Sequence, residues 1–451
     1  MRAAVVGAGP SGFYAAGELS AAGFAVDLYD ALPTPFGLVR AGVAPDHPKI
    51  KAVTRVYDKI ARRPGVRFFG GVEVGRDVTG AELAERYAAV VYAVGTPDAN
   101  ALGIPGEDGP GSHAATEFVG WYNGHPAHTS HDFPLAVERA VVIGNGNVAL
   151  DVARMLVLEP EELASTDTAD HALDALARAQ VREVVVLGRR GPLEAAFTNP
   201  ELLELSALTR AEPVVAAEEL EFDAAAAAAF AAEQADPGSA VPRRIEILRE
   251  YAARPSRGAS HRVVLRFLRS PVAVERDADG AVSGLRVAVN RRVASAGGGG
   301  GAARFEPTGA EETIPCGLVL RAIGYRGRPL DGLPFEPARG LVANDAGRVA
   351  PGTYVTGWVK RGPSGVIGTN KQCAAETVAR VLEDRAAGLL GEAGDADAAA
   401  VERWLRERVP AVVSWDGWSA IDLHERAAGE PHGRPRIKLV EVEEMRRRAV
   451  S

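Results

Sequence analysis

Short apolar runs alternate with glycine turns and helical patterns along the chain, and this succession occurs twice. An apolar run over Ala3–Val6 precedes a glycine turn and a helical pattern over 13–22, and a second apolar run ends in Asp30. The succession begins again at Val141–Ile143 and ends with an apolar run over Glu183–Leu187. Apolar runs of this length predict buried strands, and strands that alternate with helices predict parallel sheets. The pattern therefore predicts an α/β fold with two doubly wound domains.

The first of these domains is predicted to be discontinuous. After about Leu318 the chain resumes a strand–turn–helix character, and we expect it to return there to the first domain. The predicted domains are residues 1–103 with 318–451 and, inserted between them, 104–317. We also expect a helical insertion over 159–180, a surface helix in the alanine-rich stretch 223–233 and a flexible hairpin loop at the glycine-rich stretch 296–302.

Composition excludes several classes of function. The net charge is −8, which argues against non-specific binding of nucleic acid. The two cysteines, Cys316 and Cys373, have no metal-ligand or CxxC spacing, so we expect no metal site, no disulfide framework and a reducing, cytoplasmic setting. The longest alanine-rich run is far shorter than the ~20 apolar residues of a membrane span, and no signal peptide of the usual form is expected.

The first glycine turn has the pattern of a dinucleotide site. Gly7 is suited to a tight turn, Gly9 to close approach of the backbone to a pyrophosphate, and Gly12 to close packing of the helix on the strand. Asp30 follows at the end of the next strand, where an acid accepts hydrogen bonds from ribose hydroxyls. A plain glycine turn without a ligand is the alternative interpretation.

The second glycine turn predicts NADP rather than NAD. Gly144 and Gly146 are followed by Ala149 in the third position, and the next strand ends at Arg189 and Arg190 instead of an acid. Guanidinium groups can bind a 2′-phosphate that a carboxylate would repel. The alternative is a solvated charge pair at the end of a strand. Two dinucleotides in one chain imply that one receives hydride from the other, and the usual pair is FAD with a nicotinamide nucleotide.

Four blocks of sequence resemble the adrenodoxin-reductase-type ferredoxin–NADP reductases, and they occur in order across almost the whole chain. The blocks are Leu32–Arg40 with Gly42–Lys49, Ile143–Arg154, Gly188–Pro192 and Gly357–Lys371. The resemblance implies two Rossmann-like domains of the glutathione-reductase type, with a discontinuous FAD domain. It also implies that hydride moves from NADPH to FAD and that single electrons then pass to a ferredoxin-type iron–sulfur protein.

The resemblance also implies which residues contact the cofactors. For FAD they are Ser11, Asp30, Leu38, Val74, Trp358, Gly365, Val366 and Ile367. For NADP they are Asn145, Gly146, Asn147, Val148, Arg189, Arg190, Glu201 and Gly365. The chain departs from the family in two places: the family often has Glu where Asp30 stands, and relatives have an arginine near Asn100 that touches the nucleotide, where this chain has no positive charge.

Three further sites are candidates for a role near the flavin. A helix that begins near Thr369, after Gly365-Val366-Ile367, would direct its positive end at the flavin ring. Trp358 could pack beside that ring, although a core tryptophan would have the same pattern. The resemblance places His47 and Glu204 near flavin and nicotinamide as the catalytic candidates, with a positioning or electrostatic role, whereas a lone loop histidine is often only solvated.

Residues 241–270 form a predicted basic patch in an acidic chain. They contain eight arginines and two acids, and the arginines include Arg243 and Arg244. Because ferredoxins are acidic, this segment is our candidate docking surface. A solvated helix face with exposed strand positions is the alternative.

Four other functions are alternatives to the ferredoxin reductase. The spacing of Cys316 and Cys373 disfavours a disulfide reductase, and the cysteine clusters of the glutamate synthase small subunit are absent from the sequence. An NADPH diaphorase or oxidase with a non-ferredoxin acceptor, such as a quinone, is the main alternative. A flavin-binding redox sensor without turnover is a further alternative.

Overall fold

The computed structural model describes residues 1–293, 303–365, 367–391 and 397–450. Its strands are β1 (Arg2–Val6), β2 (Ala25–Asp30), β3 (Val66–Gly70), β4 (Ala89–Tyr92), β5 (Asp98–Ala99), β6 (Ser112–Ala114), β7 (Arg139–Ile143), β8 (Glu183–Leu187), β9 (Ala211–Val215), β10 (His261–Arg266), β11 (Arg269–Arg276), β12 (Val282–Val293), β13 (Arg304–Pro315), β14 (Leu318–Arg321), β15 (Tyr325–Arg326), β16 (Phe335–Glu336), β17 (Leu341–Val342), β18 (Arg348–Ala350) and β19 (Thr353–Val355). Its α-helices are α1 (Pro10–Ala21), α2 (Leu38–Ala41), α3 (Pro48–Lys51), α4 (Thr54–Ala61), α5 (Gly80–Ala84), α6 (Ala115–Tyr122), α7 (Asn147–Val157), α8 (Pro160–Ala164), α9 (Asp170–Ala177), α10 (Asn199–Glu204), α11 (Ala224–Ala235), α12 (Val241–Ala253), α13 (Trp358–Arg361), α14 (Ile367–Ala386), α15 (Ala398–Arg408), α16 (Trp415–Gly429) and α17 (Val442–Ala449).

Two six-stranded sheets form the framework of the described part of the chain. The first has the order β18-β19-β4-β1-β2-β3 and is parallel except for β18. The second has the order β6-β14-β7-β8-β10-β9 and is parallel throughout. The prediction of an α/β fold with two Rossmann-like units is confirmed.

Each sheet is buried on both faces, as its apolar strands require. Ala3 and Val5 of β1 enter one core cluster, while Ala4 and Val6 enter another on the opposite face. The strands of the second sheet divide in the same way, with Val142 on one face and Val141 on the other. Side chains alternate between the faces of a strand, so a continuous apolar run serves both cores.

The chain crosses between the two sheets at a pair of short strands. β5 leads away from the first sheet and pairs antiparallel with β15, which leads back toward it. Strand β14, just before β15, lies in the second sheet between β6 and β7. The predicted boundary at 317/318 therefore falls one strand too early, because the apolar character of Leu318–Arg321 does not reveal which sheet the strand joins.

The other predicted segments fall where the pattern indicated. Helices α8 and α9 occupy the insertion 159–180, and α11 has no buried residue along its whole length, as a surface helix requires. The predicted hairpin loop at 296–302 lies outside the described residues. Among the described helices, none has both the length and the apolar character needed to cross a lipid bilayer.

Candidate functional site

The first glycine turn, between β1 and α1, has the geometry that close packing demands. Gly7 has a φ of +106°, and a Cβ there would lie 2.6 Å from the carbonyl oxygen of Ala93. A Cβ on Gly12 would lie 1.8 Å from the carbonyl oxygen of Gly7, so α1 can approach the turn only without one. Gly9 has no atom within 4 Å of the position its Cβ would take. The turn therefore leaves open space at Gly9, directly before the N-terminus of α1.

Asp30, at the end of β2, stabilises this turn. Its Oδ2 accepts a hydrogen bond from the backbone N–H of Ala8 at 2.8 Å, and its Oδ1 accepts one from Leu32 at 2.9 Å. Burial raises the pKa of Asp30 to about 6, although the two hydrogen bonds lower it. Each carboxylate oxygen can accept a further hydrogen bond, so a ribose hydroxyl can still be bound.

The segment after β2 folds back over the glycine turn. The N–H of Phe36 donates to the carbonyl of Ala8 at 2.8 Å, and a Cβ on Gly37 would lie 3.1 Å from the Cα of Gly9. Phe36 itself has a φ of +86°, which is uncommon for a bulky residue and is held here by the surrounding contacts. Leu38, two residues after Phe36, is 41% exposed. Thus Leu38 lies beside the turn with its side chain available to a ligand.

The N-terminal ends of α1 and α14 meet through a polar network. Ser11 Oγ donates to Asn370 Oδ1 at 2.9 Å, and Arg361 Nη2 donates to the same oxygen at 2.8 Å. A Cβ on Gly357 would lie 2.2 Å from Ser11 Oγ, so the backbone before α13 touches α1 closely. The two helices pack into the same core cluster, so their N-terminal ends lie on the same side of the first sheet.

The remaining candidates for FAD contact lie around these helix ends. Trp358 is half-buried, and its ring centroid lies 5.3 Å from that of Tyr325. Ile367 is the first residue of α14, two positions before the predicted start, and Val366 lies outside the described residues. Val74 is half-buried beyond β3, near the point where the N–H of Val72 donates to the carbonyl of Asp30 at 2.9 Å.

The second glycine turn repeats the first in the second sheet. Gly144 has a φ of +136°, and a Cβ there would lie 2.2 Å from the carbonyl oxygen of Ala322. Gly146, like Gly9, has no atom within 4 Å of a Cβ position, and α7 begins at the next residue. Ala149 is fully buried, so its methyl group is accommodated between helix and strand.

Two asparagines attach this turn to the segments around it. A Cβ on Gly188 would lie 1.7 Å from Asn145 Nδ2, so the asparagine side chain rests on the backbone just after β8. Asn147 Oδ1 accepts a hydrogen bond from the N–H of Thr198 at 2.8 Å, which connects the start of α7 to the start of α10. Val148 is half-buried against the core of the second domain.

Arg189 and Arg190, directly after Gly188, have exposed side chains on a fixed backbone. Asn290 Nδ2 donates to the carbonyl of Arg189 at 2.8 Å, and the N–H of Leu268 donates to that of Arg190 at 3.0 Å. The two guanidinium groups are therefore available at the end of β8, where the sequence predicted a 2′-phosphate contact.

His47 and Glu204, distant in sequence, meet in the structure. His47 Nε2 lies 2.8 Å from Glu204 Oε2 and 3.9 Å from Glu201 Oε2. His47 precedes α3, and both glutamates belong to α10. The segment of the first domain that contains His47 therefore contacts α10, which follows Arg189 and Arg190 in the second domain.

Sequence reasoning missed the centre of this cluster, which is Arg154 on α7. Arg154 is 2% exposed, and its Nη1 lies 2.7 Å from Glu204 Oε2, 3.1 Å from Asp151 Oδ1 and 3.5 Å from Glu201 Oε2. Its Nη2 also donates to Asp46. The available signal was a charged pair, Asp151 and Arg154, three residues apart on an otherwise apolar helix directly after a glycine turn.

Two half-buried carboxyl groups of this cluster, those of Asp151 and Glu201, retain protons at higher pH than usual. Burial raises the pKa of Asp151 to about 7, with Arg154 lowering it and Glu201 raising it. Burial also raises the pKa of Glu201, against the opposing effect of His47. The cluster can therefore hold a proton on the Asp151 carboxyl near neutral pH, while Arg154 stays positively charged.

The predicted basic patch requires a correction at Arg244. This residue is 9% exposed, its Nη1 donates to the carbonyl of Leu193 at 3.2 Å, and its guanidinium lies over the ring of Phe197. Helical periodicity, which the count of arginines ignored, turns Arg244 into the core while Arg243 stays 49% exposed with Glu246 and Glu250 beside it. Several neighbours are likewise engaged within the chain, namely Arg249 over Phe222, Arg254 over Tyr251, Arg262 with Glu183, and Arg266 and Arg269 with Glu312.

Comparison with known proteins gives consistent matches. Residues 1–191 match the family model described as pyridine nucleotide-disulphide oxidoreductase. The chain is 47% identical to the NADPH-ferredoxin reductase FprA of Mycobacterium leprae, over 98% of this chain and 97% of that protein. It is 43% identical to the human mitochondrial NADPH:adrenodoxin oxidoreductase, over 98% of this chain and 91% of that protein. The solved structure of Mycobacterium tuberculosis FprA in complex with NADPH superposes with a TM-score of 0.93 at 45% identity, covering 100% of this chain and 99% of that one.

Proposed function

The chain belongs to the adrenodoxin-reductase-type ferredoxin–NADP reductases, and from that premise we propose how its residues divide the reaction. The protein is an NADPH-dependent flavoprotein oxidoreductase. We assign FAD to the first glycine turn and NADPH to the second, with a ferredoxin-type iron–sulfur protein as the electron acceptor. The observation that supports this division is the difference between the two turns: the strand after the first ends in the carboxylate of half-buried Asp30, and the strand after the second ends in exposed Arg189 and Arg190.

The residues around the first turn fit FAD. The space at Gly9 admits a pyrophosphate, which the N-terminus of α1 would stabilise. Asp30 would accept a hydrogen bond from the ribose. Ser11, through its hydrogen bond to Asn370, would keep the N-terminus of α14 close to the bound FAD. Leu38, Val74, Trp358 and Ile367 complete the proposed FAD set.

The residues around the second turn fit NADPH. The space at Gly146 lies before α7, Asn145 and Asn147 connect the turn to β8 and α10, and the arginine pair would bind the 2′-phosphate. Glu201, on α10, belongs to the cluster with His47. Because the two proposed sites meet at this cluster, nicotinamide and flavin would face each other there.

Bound FAD would take hydride from NADPH and release electrons singly to a one-electron carrier. The contribution of the protein is to hold the two nucleotides in register and to exclude water. We assign His47 and Glu204 to positioning, because their 2.8 Å contact joins the segment of the first turn to that of the second. Arg154 would fix the orientation of Glu204 from the buried side.

We propose that an acidic iron–sulfur protein docks on the exposed face of α12, with Arg243 as a contact. This surface carries less positive charge than the sequence predicted, because the Arg244 side chain is buried. Glu246 and Glu250 also partly neutralise the charge of Arg243. The expected contribution is thus to the rate of association rather than to a tight complex.

Anaerobic stopped-flow spectroscopy of the purified protein tests the proposal. We expect NADPH to reduce the flavin faster than NADH does, and added ferredoxin then to be bleached. Flavin reduction without bleaching of any of several ferredoxins would favour the diaphorase. Failure of NADPH to reduce the flavin would overturn the assignment of two dinucleotides, and turnover with an artificial acceptor separates both enzymes from a silent sensor.

A further inference from the structure

A cluster of histidines in the second domain has no part in dinucleotide binding. Four of the nine histidines of the chain are His113, His125, His128 and His131. The ring centroids of His128 and His131 lie 5.3 Å apart, and those of His113 and His131 lie 6.5 Å apart. The sequence expectation of no metal site considered only cysteines, so these residues were left without a role.

The donor atoms of this cluster converge with a carboxylate. One possible ligand atom from each of His113, Glu117 and His131 lies within 4.8 Å of the others, and His113 Nδ1 is 3.8 Å from Glu117 Oε2. His128 Nδ1 lies 3.2 Å from His131 Nε2. Neighbouring ligand atoms around a tetrahedral zinc ion are about 3.3 Å apart for Zn–N bonds of about 2.0–2.1 Å. His113, Glu117 and His131 therefore offer three convergent donors, and His128, beside His131, would supply the fourth after rotation of its side chain.

The fold holds these side chains in place. His113 lies on β6, in the second sheet, and Glu117 lies in the first turn of α6, where its Oε2 accepts a hydrogen bond from the N–H of Ala114 at 3.0 Å. A Cβ on Gly120 would lie 2.3 Å from Cδ2 of His128, so this glycine leaves the space that the imidazole occupies. The other nitrogen of His113, Nε2, is buried and has no hydrogen-bond partner among the described residues, so no hydrogen bond at Nε2 opposes a rotation of this ring.

We propose that His113, Glu117, His128 and His131 bind one divalent transition-metal ion of the zinc class. Imidazole nitrogens with a single carboxylate suit Zn²⁺ and its neighbours, whereas Mg²⁺ and Ca²⁺ prefer all-oxygen ligands. The ion would join β6 and α6 to the loop that leads into β7, and thereby stabilise the second domain away from its glycine turn.

A second group of similar spacing, His47 with Glu201 and Glu204, is a poorer site. The guanidinium of Arg154 lies 2.7 Å from Glu204 and 3.5 Å from Glu201, and its positive charge would oppose a cation there. The experiment must nevertheless separate the two groups.

Calorimetric titration of the tag-free holoenzyme with Zn²⁺, after treatment with a chelator, tests the proposal. We expect one equivalent to bind, and the affinity to fall by about a hundredfold in His131→Ala and Glu117→Gln, since each removes a ligand. His432→Ala, which alters an exposed histidine, and His47→Gln should bind Zn²⁺ as the unaltered protein does. Co²⁺ should give absorption bands at longer wavelengths than those of the flavin.

Three outcomes would overturn the site: no stoichiometric binding, binding unchanged in His131→Ala and Glu117→Gln, or binding lost in His47→Gln. Retention of bound flavin and unchanged NADPH-driven flavin reduction verify that the ligand variants are folded, and His131→Gln replaces His131→Ala if the latter loses flavin. As a second readout, Zn²⁺ should raise the melting temperature of the unaltered protein but not that of Glu117→Gln.

Discussion

Arg189 and Arg190 combine a fixed backbone with exposed side chains at the end of β8. Their carbonyls are occupied by Asn290 and Leu268, so the direction of the main chain is set before a nucleotide arrives. A site that is already organised in this way loses little conformational entropy when it binds.

Replacement of either arginine should change which nucleotide is used. We expect Arg189→Ala or Arg190→Ala to raise the KM for NADPH about ten- to a hundredfold, the effect of losing hydrogen bonds to a charged group. The KM for NADH should not change, because NADH has no 2′-phosphate. Steady-state assays with both nucleotides measure this, and Arg178→Ala, at an exposed helix end of the same domain, is the control. Equal effects on NADPH and NADH would contradict the assignment.

His47 is the residue at which the two proposed sites touch. His47→Ala removes the 2.8 Å contact with Glu204 and should slow NADPH-driven flavin reduction by up to about a hundredfold, the cost of a small misplacement of reacting groups. Rapid-kinetic traces of flavin absorbance measure the rate, with His432→Ala as the control. If the rate and the NADPH affinity both matched those of the control, the positioning role would be lost.

At this scale the sequence identified residue types better than their surroundings. Asp30, Arg189 and His47 could be selected from motif and resemblance, because each occupies a recognisable position after a strand or in a block that resembles the family. The role of Arg154 and the burial of Arg244 could not, since both depend on which face of a helix packs against the core.

At the scale of elements, each glycine turn contains at least one glycine that packing requires and one that leaves space. Gly12 cannot bear a Cβ because the carbonyl oxygen of Gly7 occupies that position. Gly9 and Gly146 face open space instead, and their φ values of −84° and −109° are ones that alanine can adopt. A methyl group at Gly9 or Gly146 would thus be tolerated by the fold but would enter the proposed pyrophosphate position.

This difference allows a matched pair of variants. Gly9→Ala should fold but bind FAD about ten- to a hundredfold more weakly, from a steric cost of about 1–3 kcal/mol. Gly146→Ala should keep its FAD and lose NADPH affinity by a similar factor. Flavin content after dialysis and NADPH titration measure the two effects. Loss of FAD in Gly146→Ala, or none in Gly9→Ala, would reverse or remove the division of cofactors.

At the scale of the whole molecule, the C-terminal segment joins the two sheets. Lys438 Nζ donates to the carbonyl of Asn123 at 3.1 Å and to that of Arg40 at 3.3 Å, and it pairs with Asp167 at 3.1 Å. Lys51 also pairs with Asp167, at 2.7 Å. Burial opposes ionisation of Asp167, but the two lysines more than offset this and hold its pKa well below the usual range.

Removal of the charge of Asp167 should destabilise the protein strongly. Asp167→Asn leaves buried Lys438 and half-buried Lys51 without a counter-ion, and we expect a loss of about 3–5 kcal/mol in the free energy of unfolding. Asp170→Asn, which removes the exposed partner of Arg434, should cost under about 1 kcal/mol. Chemical denaturation of the two holoproteins measures the difference. Equal losses in the free energy of unfolding would show that the pairs of Asp167 with Lys51 and Lys438 do not join the domains.

The proposed docking surface also belongs to this scale, since it depends on long-range charge. Arg243→Glu should raise the KM for ferredoxin several-fold at low salt and much less at high salt, because screening shortens the range of the interaction to about 10 Å at 0.1 M. Arg406→Glu is the control, since Arg406 is similarly exposed and paired with Glu402 on α15. The same change at both salt concentrations would exclude α12 as the contact.

The amino-acid sequence specifies the local elements of this protein and the chemistry of their ends. Apolar runs, glycine turns and the residue after each strand are local features, so two dinucleotide-binding units and a preference for NADPH follow from the order of residues alone. Three other features depend on the tertiary structure: β14 joins the second sheet, Arg154 gathers four carboxyl groups and the C-terminal segment connects the sheets. These features arise from contacts between residues far apart in the chain, and neither hydrophobic periodicity nor motif spacing encodes which distant partner a buried charge or an apolar strand will meet.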